Sequence, residues 1–412
     1  MSLIDEIIAF TLVTAVTFFV AWSSAKESGF FKKLYQWVPS ILLLYLLPTV
    51  ATNTGLIKPT ANIRIVAMNT LLPVSLIMLT AIIHIPDLLR VTRKGLLMFF
   101  IATAGIVLGG PLALWIAGIF DPELLQSAGS NAPWRGLVCI TGSWINGTPG
   151  QLSMKEVYGS SEALFLTSLA TDVLLQNGWL FFLLYSVKFH KSINKWLTGS
   201  RELDYDMVDN EEMARETSAP TLRLPTFLNW TILIVAYALV MWIAGFCSAF
   251  FQTKYGENEA NPWSFLTKKS IWLILFSTSL GVLLSFTPYF KKTILFWTRL
   301  GNGMILFIIA TIGLQLDLRQ VTFNTTFFMI GVTWLLIHLA ILITGAKLLK
   351  APWHFIAIGS QANIGGPASA SVVASAFHPS LVSLGIVLGV LSNLIGNYAN
   401  LLAGLLFQFV TL

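Results

Sequence analysis

The chain has 412 residues, of which 55% are hydrophobic and only 11% are charged. A soluble domain usually carries about 25% charged residues, so a water-soluble globular fold is excluded at this length. The net charge of +6 does not point to nucleic acid, because the Lys and Arg residues sit in short clusters between apolar runs, as orienting loops of membrane proteins do.

The first apolar run, Ile7–Trp22, follows Asp5 and Glu6, with neither a basic region nor a small-residue cleavage site before it. It is expected to stay as a span and not to be removed as a signal peptide. Further units follow at 36–54, 65–85, 95–120, 134–157 and 162–189. Runs of about 20 apolar residues cross a bilayer core as helix, since backbone groups in lipid must be satisfied within their own segment.

The fifth unit is unlike its neighbours. Thr141–Gly150 reads Thr-Gly-Ser-Trp-Ile-Asn-Gly-Thr-Pro-Gly, which interrupts any helix. The sixth unit holds Asp172, which alone among the acidic residues lies deep in an apolar stretch. A carboxylate there costs several kcal/mol unless paired, protonated or ion-bound, so Asp172 is either a coupling-ion group or the partner of a buried polar group. Gln176 and Asn177, four and five positions on, lie near the same helix face and could complete a cation site.

A polar stretch at 191–225, carrying Arg201, Glu202, Asp204, Asp206, Asp209, Glu211, Glu212, Arg215 and Glu216, reads as a flexible linker. It divides the chain into 1–190 and 226–412. The second part repeats the first with units at 226–251, 268–288, 296–316, 324–348, 352–376 and 379–411. Its fifth unit is also broken, by Gly359-Ser-Gln-Ala-Asn-Ile-Gly-Gly-Pro367, and its last carries Asn393, Asn397 and Asn400 on one face.

Weak matches recur in the same order about 220 residues apart. Asp87-Leu88-x-x-Val91-Thr92 answers Asp317-Leu318-x-x-Val321-Thr322, Gly142-Ser143-x-x-Asn146 answers Gly359-Ser360-x-x-Asn363, and Leu174-Leu175-Gln176-Asn177 answers Leu394-Ile395-Gly396-Asn397. Loop charge then sets the topology. If each broken unit enters and leaves on one side, Lys26/Lys32/Lys33, Arg90/Arg93/Lys94, Lys188/Lys191/Lys195, Lys291/Lys292/Arg299 and Lys347/Lys350 all face the cytoplasm. Asp5/Glu6, Asp121/Glu123 and Glu257/Glu259 then face outward, while Lys58, Arg64, Lys268, Lys269 and Arg319 run against the trend. Full crossing of both broken units would put the linker on the opposite side from the other basic loops.

The expected fold class is therefore an all-α polytopic membrane protein. It has two inverted repeats of five transmembrane helices, each with a glycine-rich re-entrant hairpin or broken helix, and its N-terminus lies outside. Two such breaks in opposed halves meet near the midplane, where freed backbone groups hold ligands. The expected substrate site is Gly142, Ser143, Asn146, Gly147 and Thr148 with Gly359, Ser360, Gln361, Asn363, Gly365, Gly366 and Ser369. The alternative is that these small residues only allow close helix packing. The expected coupling-ion site is Asp172, Gln176, Asn177, Asn393 and Asn397. No cofactor and no structural metal is expected. Cys139 and Cys247 lack metal or redox spacing, and His84, His338, His354 and His378 lack zinc spacing. Gly105/Gly109 and Gly385/Gly389 fit tight helix packing, and Trp22, Trp37, Trp134, Trp263 and Trp353 fall near span ends. No nucleotide loop, metalloprotease helix, nucleophile elbow or nucleophile–base pair near Asp172 is evident, so no enzyme is expected.

The segments Gly359-Ser-Gln-Ala-Asn-Ile-Gly-Gly-Pro-Ala-Ser-Ala370, His378-Pro379 and Asn393/Gly396-Asn397-Tyr398 resemble the YjcL-like integral membrane family over most of the chain. The first break departs from the pattern at Trp144 and Thr148. The family's layout is similar to that of sodium/glutamate symporters and 2-hydroxycarboxylate transporters. That resemblance implies inverted five-helix repeats, a homodimer and elevator-like movement, but it transfers no substrate or site residue. The resulting expectation is a secondary transporter in a bacterial cytoplasmic membrane, coupled to Na⁺ or H⁺ and moving an amino acid, small carboxylate or short peptide. A channel-type permease and, less favoured, an intramembrane enzyme are the alternatives.

Overall fold

The computed structural model describes residues 3–26, 28–37, 40–58, 61–83, 92–126, 128–199, 226–256, 264–287, 290, 293–315 and 324–411. Several features singled out above lie outside these residues. They are most of both Asp-Leu-x-x-Val-Thr copies, positions 200–225 of the linker, His84, Arg90, Glu257, Glu259, Trp263, Lys291, Lys292 and Arg319.

Every element among the described residues is helical. The first half contains α1 (Leu3–Ser24), α2 (Gly29–Trp37), α3 (Ser40–Asn53), α4 (Ala61–Val66) and α5 (Leu72–Ala81), the last two joined by a π-helical turn at Ala67–Leu71. It continues with α6 (Arg93–Phe120), α7 (Pro133–Tyr158), α8 (Glu162–Ser186) and α9 (His190–Thr198). The second half contains α10 (Phe227–Tyr255), α11 (Lys269–Ser285), α12 (Ile294–Gly313), α13 (Thr325–Leu349), α14 (Trp353–Ile364), α15 (Gly366–Phe377) and α16 (Val382–Val410). The sequence-derived units therefore match helices closely, with two additions, α2 and α9. Helix α9 occupies the start of the stretch read as linker, because Leu197 and Asn194 are buried against the rest of the chain and Lys347 lies over the Trp196 ring.

Seven described segments are long and apolar enough to cross a membrane: Leu3–Ser24, Asn62–Ala81, Arg93–Phe120, Phe227–Tyr255, Ile294–Gly313, Thr325–Leu349 and Pro379–Val410. Leu43–Asn53 and Lys269–Ser285 are shorter apolar helices. Helix α8 has the length at 25 residues but carries Asp172, Gln176 and Asn177. Large apolar side chains such as Phe18, Phe227, Trp242 and Leu348 stand exposed on the outer surface, where a bilayer and not water is the compatible solvent. The protein is a polytopic helical membrane protein.

The helices form two bodies. Helices α1, α3, α4, α5, α10, α11 and α12 pack on one another and make a frame. In it α3 packs on α12, and α5 on α11, so the second unit of each half meets the third of the other. The remaining long helices, α6, α7, α8, α13, α14, α15 and α16, make the second body. At its centre α6 and α13 run antiparallel, since Gly105 abuts His338, Gly109 abuts Trp334 and Gly345 abuts Ile101. The glycines let the two backbones approach closely.

Candidate functional site

Helix α7 is broken at Gly147, whose φ of 61° and ψ of −154° are strained for any residue with a side chain. The chain then folds back. Trp134 and Tyr158, near the two ends, have ring centroids 5.6 Å apart, where a straight helix would separate them by about 36 Å. The Arg135 guanidinium donates to the Tyr158 carbonyl, and the Ser161 amide donates to the Ser130 carbonyl at 2.9 Å. The limbs touch at Gly142 and Gly150, where a Cβ on Gly142 would stand 2.5 Å from the Gly150 oxygen.

Helices α14 and α15 make a second fold-back at Gly365 and Gly366, the latter with φ of 70°. His354 and Phe377, at its ends, have ring centroids 6.3 Å apart, and Gln361 Nε2 donates to Ser369 Oγ across the turn at 3.0 Å.

The two hairpins point at each other. The base of the first lies beside the start of α8, where Lys155 Nζ meets Glu162 at 2.8 Å. The base of the second lies beside the end of α8, where the Trp353 indole donates to Ser186 Oγ at 2.7 Å. Helix α16 runs along both: Gly385 faces Ala370, Gly389 faces Pro367, Gly396 faces Ile145 and Asn146, and Gly404 faces Tyr158. The tips meet near Ser392, whose hydroxyl donates to the Ile145 carbonyl and lies 3.5 Å from Asn363 Oδ1.

Beside the tips, Asp172 is 3% exposed. Its Oδ1 accepts from the Trp144 indole and from Gln176 Nε2, both at 2.8 Å, and Gln176 Nε2 also donates to Ser143 Oγ at 3.0 Å. The carboxylate is thus held by neutral donors from the first hairpin and its own helix. Two turns further along α8 from Asp172, Ser360 Oγ accepts from the Trp179 indole at 2.9 Å and lies 2.8 Å from His338 Nε2. The Trp144 and Trp334 rings lie 4.6 Å apart, so the first hairpin packs on α13 here. Among the described residues no three His, Cys, Asp or Glu side chains gather as metal ligands.

The expected site residues separate into groups. Ser143, Asp172 and Gln176 come together. Asn146 Nδ2 donates to Asn397 Oδ1 at 3.0 Å, and Asn397 Nδ2 donates to Thr278 Oγ1 at 2.7 Å, linking the first tip through α16 to the frame. Asn363 is committed to α6, accepting from Thr103 Oγ1 at 3.0 Å. Gly147 and Gly365 are exposed, with Thr148, Gly366 and Ser369 half-buried, so both turns stay reachable, whereas Gly142 and Gly359 serve helix packing. Asn177 is not with Asp172: it is exposed, and its amide donates to the Val173 carbonyl at 2.7 Å. Asn393 is half-buried beside Ser392. Trp144, Trp179, His338, Thr103 and Thr278 were absent from the expected site. An indole, imidazole or hydroxyl inside an apolar run was the available signal, and it does not say which partner the group meets. The Ser360–His338 pair is a hydroxyl–imidazole contact that sequence reading did not find, and the Trp179 N–H occupies the same oxygen.

Replacing Asn397 with Ala should lower the thermal stability of the purified protein by about 1–2 kcal/mol, because it strands the Asn146 amide and loses the Thr278 contact. Thermal unfolding in detergent checks this, and no loss would mean that the tip is not held through Asn397.

Residues 11–410 match the protein family described as Protein of unknown function (DUF819). The chain belongs to this family. A relative in Bacillus subtilis (strain 168), described as Uncharacterized membrane protein YjcL, is 24% identical over 362 residues, covering 86% of each chain. The family and this relative agree with the membrane character of the helices and name no solute, ion or mechanism.

Proposed function

We propose that this member of the family is a secondary active transporter working by alternating access. It couples Na⁺ or H⁺ to the movement of a small anionic or zwitterionic solute, an amino acid, carboxylate or short peptide, which it leaves chemically unchanged. The observation that carries the reading is the pair of folded-back helices, entering from opposite ends of α8 and meeting beside a buried carboxylate. A structural membrane protein has no use for two polar breaks facing each other in its interior. A carrier uses them as a site reachable from either side in turn.

On this reading the halves 1–190 and 226–412 are inverted repeats and both fold-backs are re-entrant hairpins. The exchanged α3–α12 and α5–α11 pairings and the antiparallel α6–α13 pair support such an arrangement. The end of the molecule holding Lys188, Lys191, Lys195, Lys347 and Lys350 would be cytoplasmic by loop charge, with the N-terminus outside, in a bacterial inner membrane. The protein would act as a homodimer in the bilayer. Asp172 with Gln176 and Ser143 would hold the coupling ion, and the hairpin tips the solute. The first test is uptake by reconstituted vesicles of radiolabelled amino acids, carboxylates and short peptides under imposed Na⁺ and proton gradients. One solute class should accumulate above equilibrium under one gradient. Equilibration without accumulation under every gradient would favour a channel-type permease and contradict coupling.

A further inference from the structure

A shared apolar core joins the two bodies, with the Tyr45 and Phe165 rings 6.1 Å apart across the seam, and a small set of polar and ionic contacts crosses it as well. Asn397 meets Thr278, Tyr398 OH lies 2.8 Å from Ser279 Oγ, and Lys268 Nζ donates to the Val157 carbonyl at 3.2 Å. At one end, beside the base of the first hairpin, the seam carries a charge cluster. Arg64, on α4 of the frame, reaches Glu162 at 3.3 Å and Glu156 at 3.6 Å, both in the hairpin body, and donates to Gln315 at 3.1 Å beyond the end of α12 in the frame. Lys155, only 1% exposed, shares the Glu162 carboxylate.

A permanent contact would not favour this chemistry, because well-packed apolar side chains of similar volume hold buried surfaces at least as well as ions. Surfaces that must part and meet again are different. At this partly exposed end, charged side chains can be rehydrated when they separate, so the end of the seam can open and close again.

We propose that Arg64 is a latch. It fastens the hairpin body to the frame in the conformation seen here, and its release from Glu156 and Glu162 lets the hairpin body shift. Lys155 keeps Glu162 paired when Arg64 leaves, and the Glu156 side chain, 30% exposed, is released to water. The proposal rests on the reading that the two bodies move relative to each other, and its test is separable from that reading because no solute is needed.

Spin labels on Leu56→Cys in the frame and Gln126→Cys beyond α6, both exposed, report the separation of the bodies. Cys139 and Cys247 are replaced by Ala in this background. Pulsed electron–electron distance measurements in nanodiscs compare the parent with Arg64→Gln, and with Arg64→Lys as the charge-keeping variant. Arg64→Gln should raise a second distance population on the order of tenfold, and Arg64→Lys should restore most of the parent distribution. Two populations in the parent, unchanged by Arg64→Gln, would overturn the latch and leave the movement standing. A single unchanged distance in all three folded proteins would overturn both. If Arg64→Gln does not fold, Glu156→Gln removes one of the two latch contacts and should move the distribution in the same direction; an unchanged distribution would overturn the latch.

Discussion

Asp172→Asn should leave the protein folded and reduce gradient-driven uptake on the order of a hundredfold, the effect of losing about 3 kcal/mol of charged interaction with a bound cation or proton. Asn is the informative substitution. Its carbonyl oxygen can still accept from the Trp144 indole and from Gln176, so the hairpin stays fastened to α8 while the ionisable group is gone. Asp172→Ala confounds the two roles, since it strands both donors in the interior at about 1–3 kcal/mol each. Uptake in vesicles and thermal unfolding of the same preparations separate them. If Asp172→Asn retains full accumulation under every ion gradient while Asp172→Ala only destabilises, Asp172 is a structural partner of Trp144 and takes no part in coupling.

The largest structural effect should come from Gly142→Ala or Gly150→Ala. Each new methyl would meet backbone of the opposite limb; at Gly142 it stands 2.5 Å from the Gly150 oxygen and 2.7 Å from its carbonyl carbon. Side chains can rotate away from an intruding methyl, but two backbones pressed together cannot without opening the hairpin. A loss of about 3 kcal/mol or more is expected, at the upper end for overpacking, with little folded protein recovered. Gly178→Ala on α8 is the control, because nothing lies within 4 Å of its added methyl. It should be neutral or slightly stabilising as a helix substitution. Monodisperse protein with parent-like unfolding for Gly142→Ala would mean that the two limbs are not in contact.

Much of the fold was legible because lipid imposes a simple code. Apolar runs bounded by charged or polar residues became helices, and the broken units at 141–150 and 359–367 fell where the chain turns back. The short helices α2 and α9 were not legible. Their residues mix aromatic and basic side chains, as in Phe30-Phe31-Lys32-Lys33, and sequence alone does not separate a surface helix from a loop there. The candidate site was half legible. Same-face reasoning placed Gln176 on Asp172, since four residues return a helix to nearly the same bearing, but the next position turns about 100° further. Asn177 accordingly points outward and bonds back to Val173. The long-range partners, Trp144 for Asp172 and His338 for Ser360, come from how hairpins and helices are threaded together, which no local pattern encodes.

Membrane-sided cysteine labelling tests the central claim most directly. In a background lacking Cys139 and Cys247, single cysteines at Ala128 and Ala163 bracket the first fold-back, and those at Lys350 and Ala376 bracket the second. An impermeant maleimide applied to oriented vesicles should reach Ala128→Cys and Ala163→Cys from one side only, and Lys350→Cys and Ala376→Cys from the other side only. Labelling of Ala128→Cys and Ala163→Cys from opposite faces would turn the first hairpin into an ordinary crossing and remove the opposed tips on which the carrier rests.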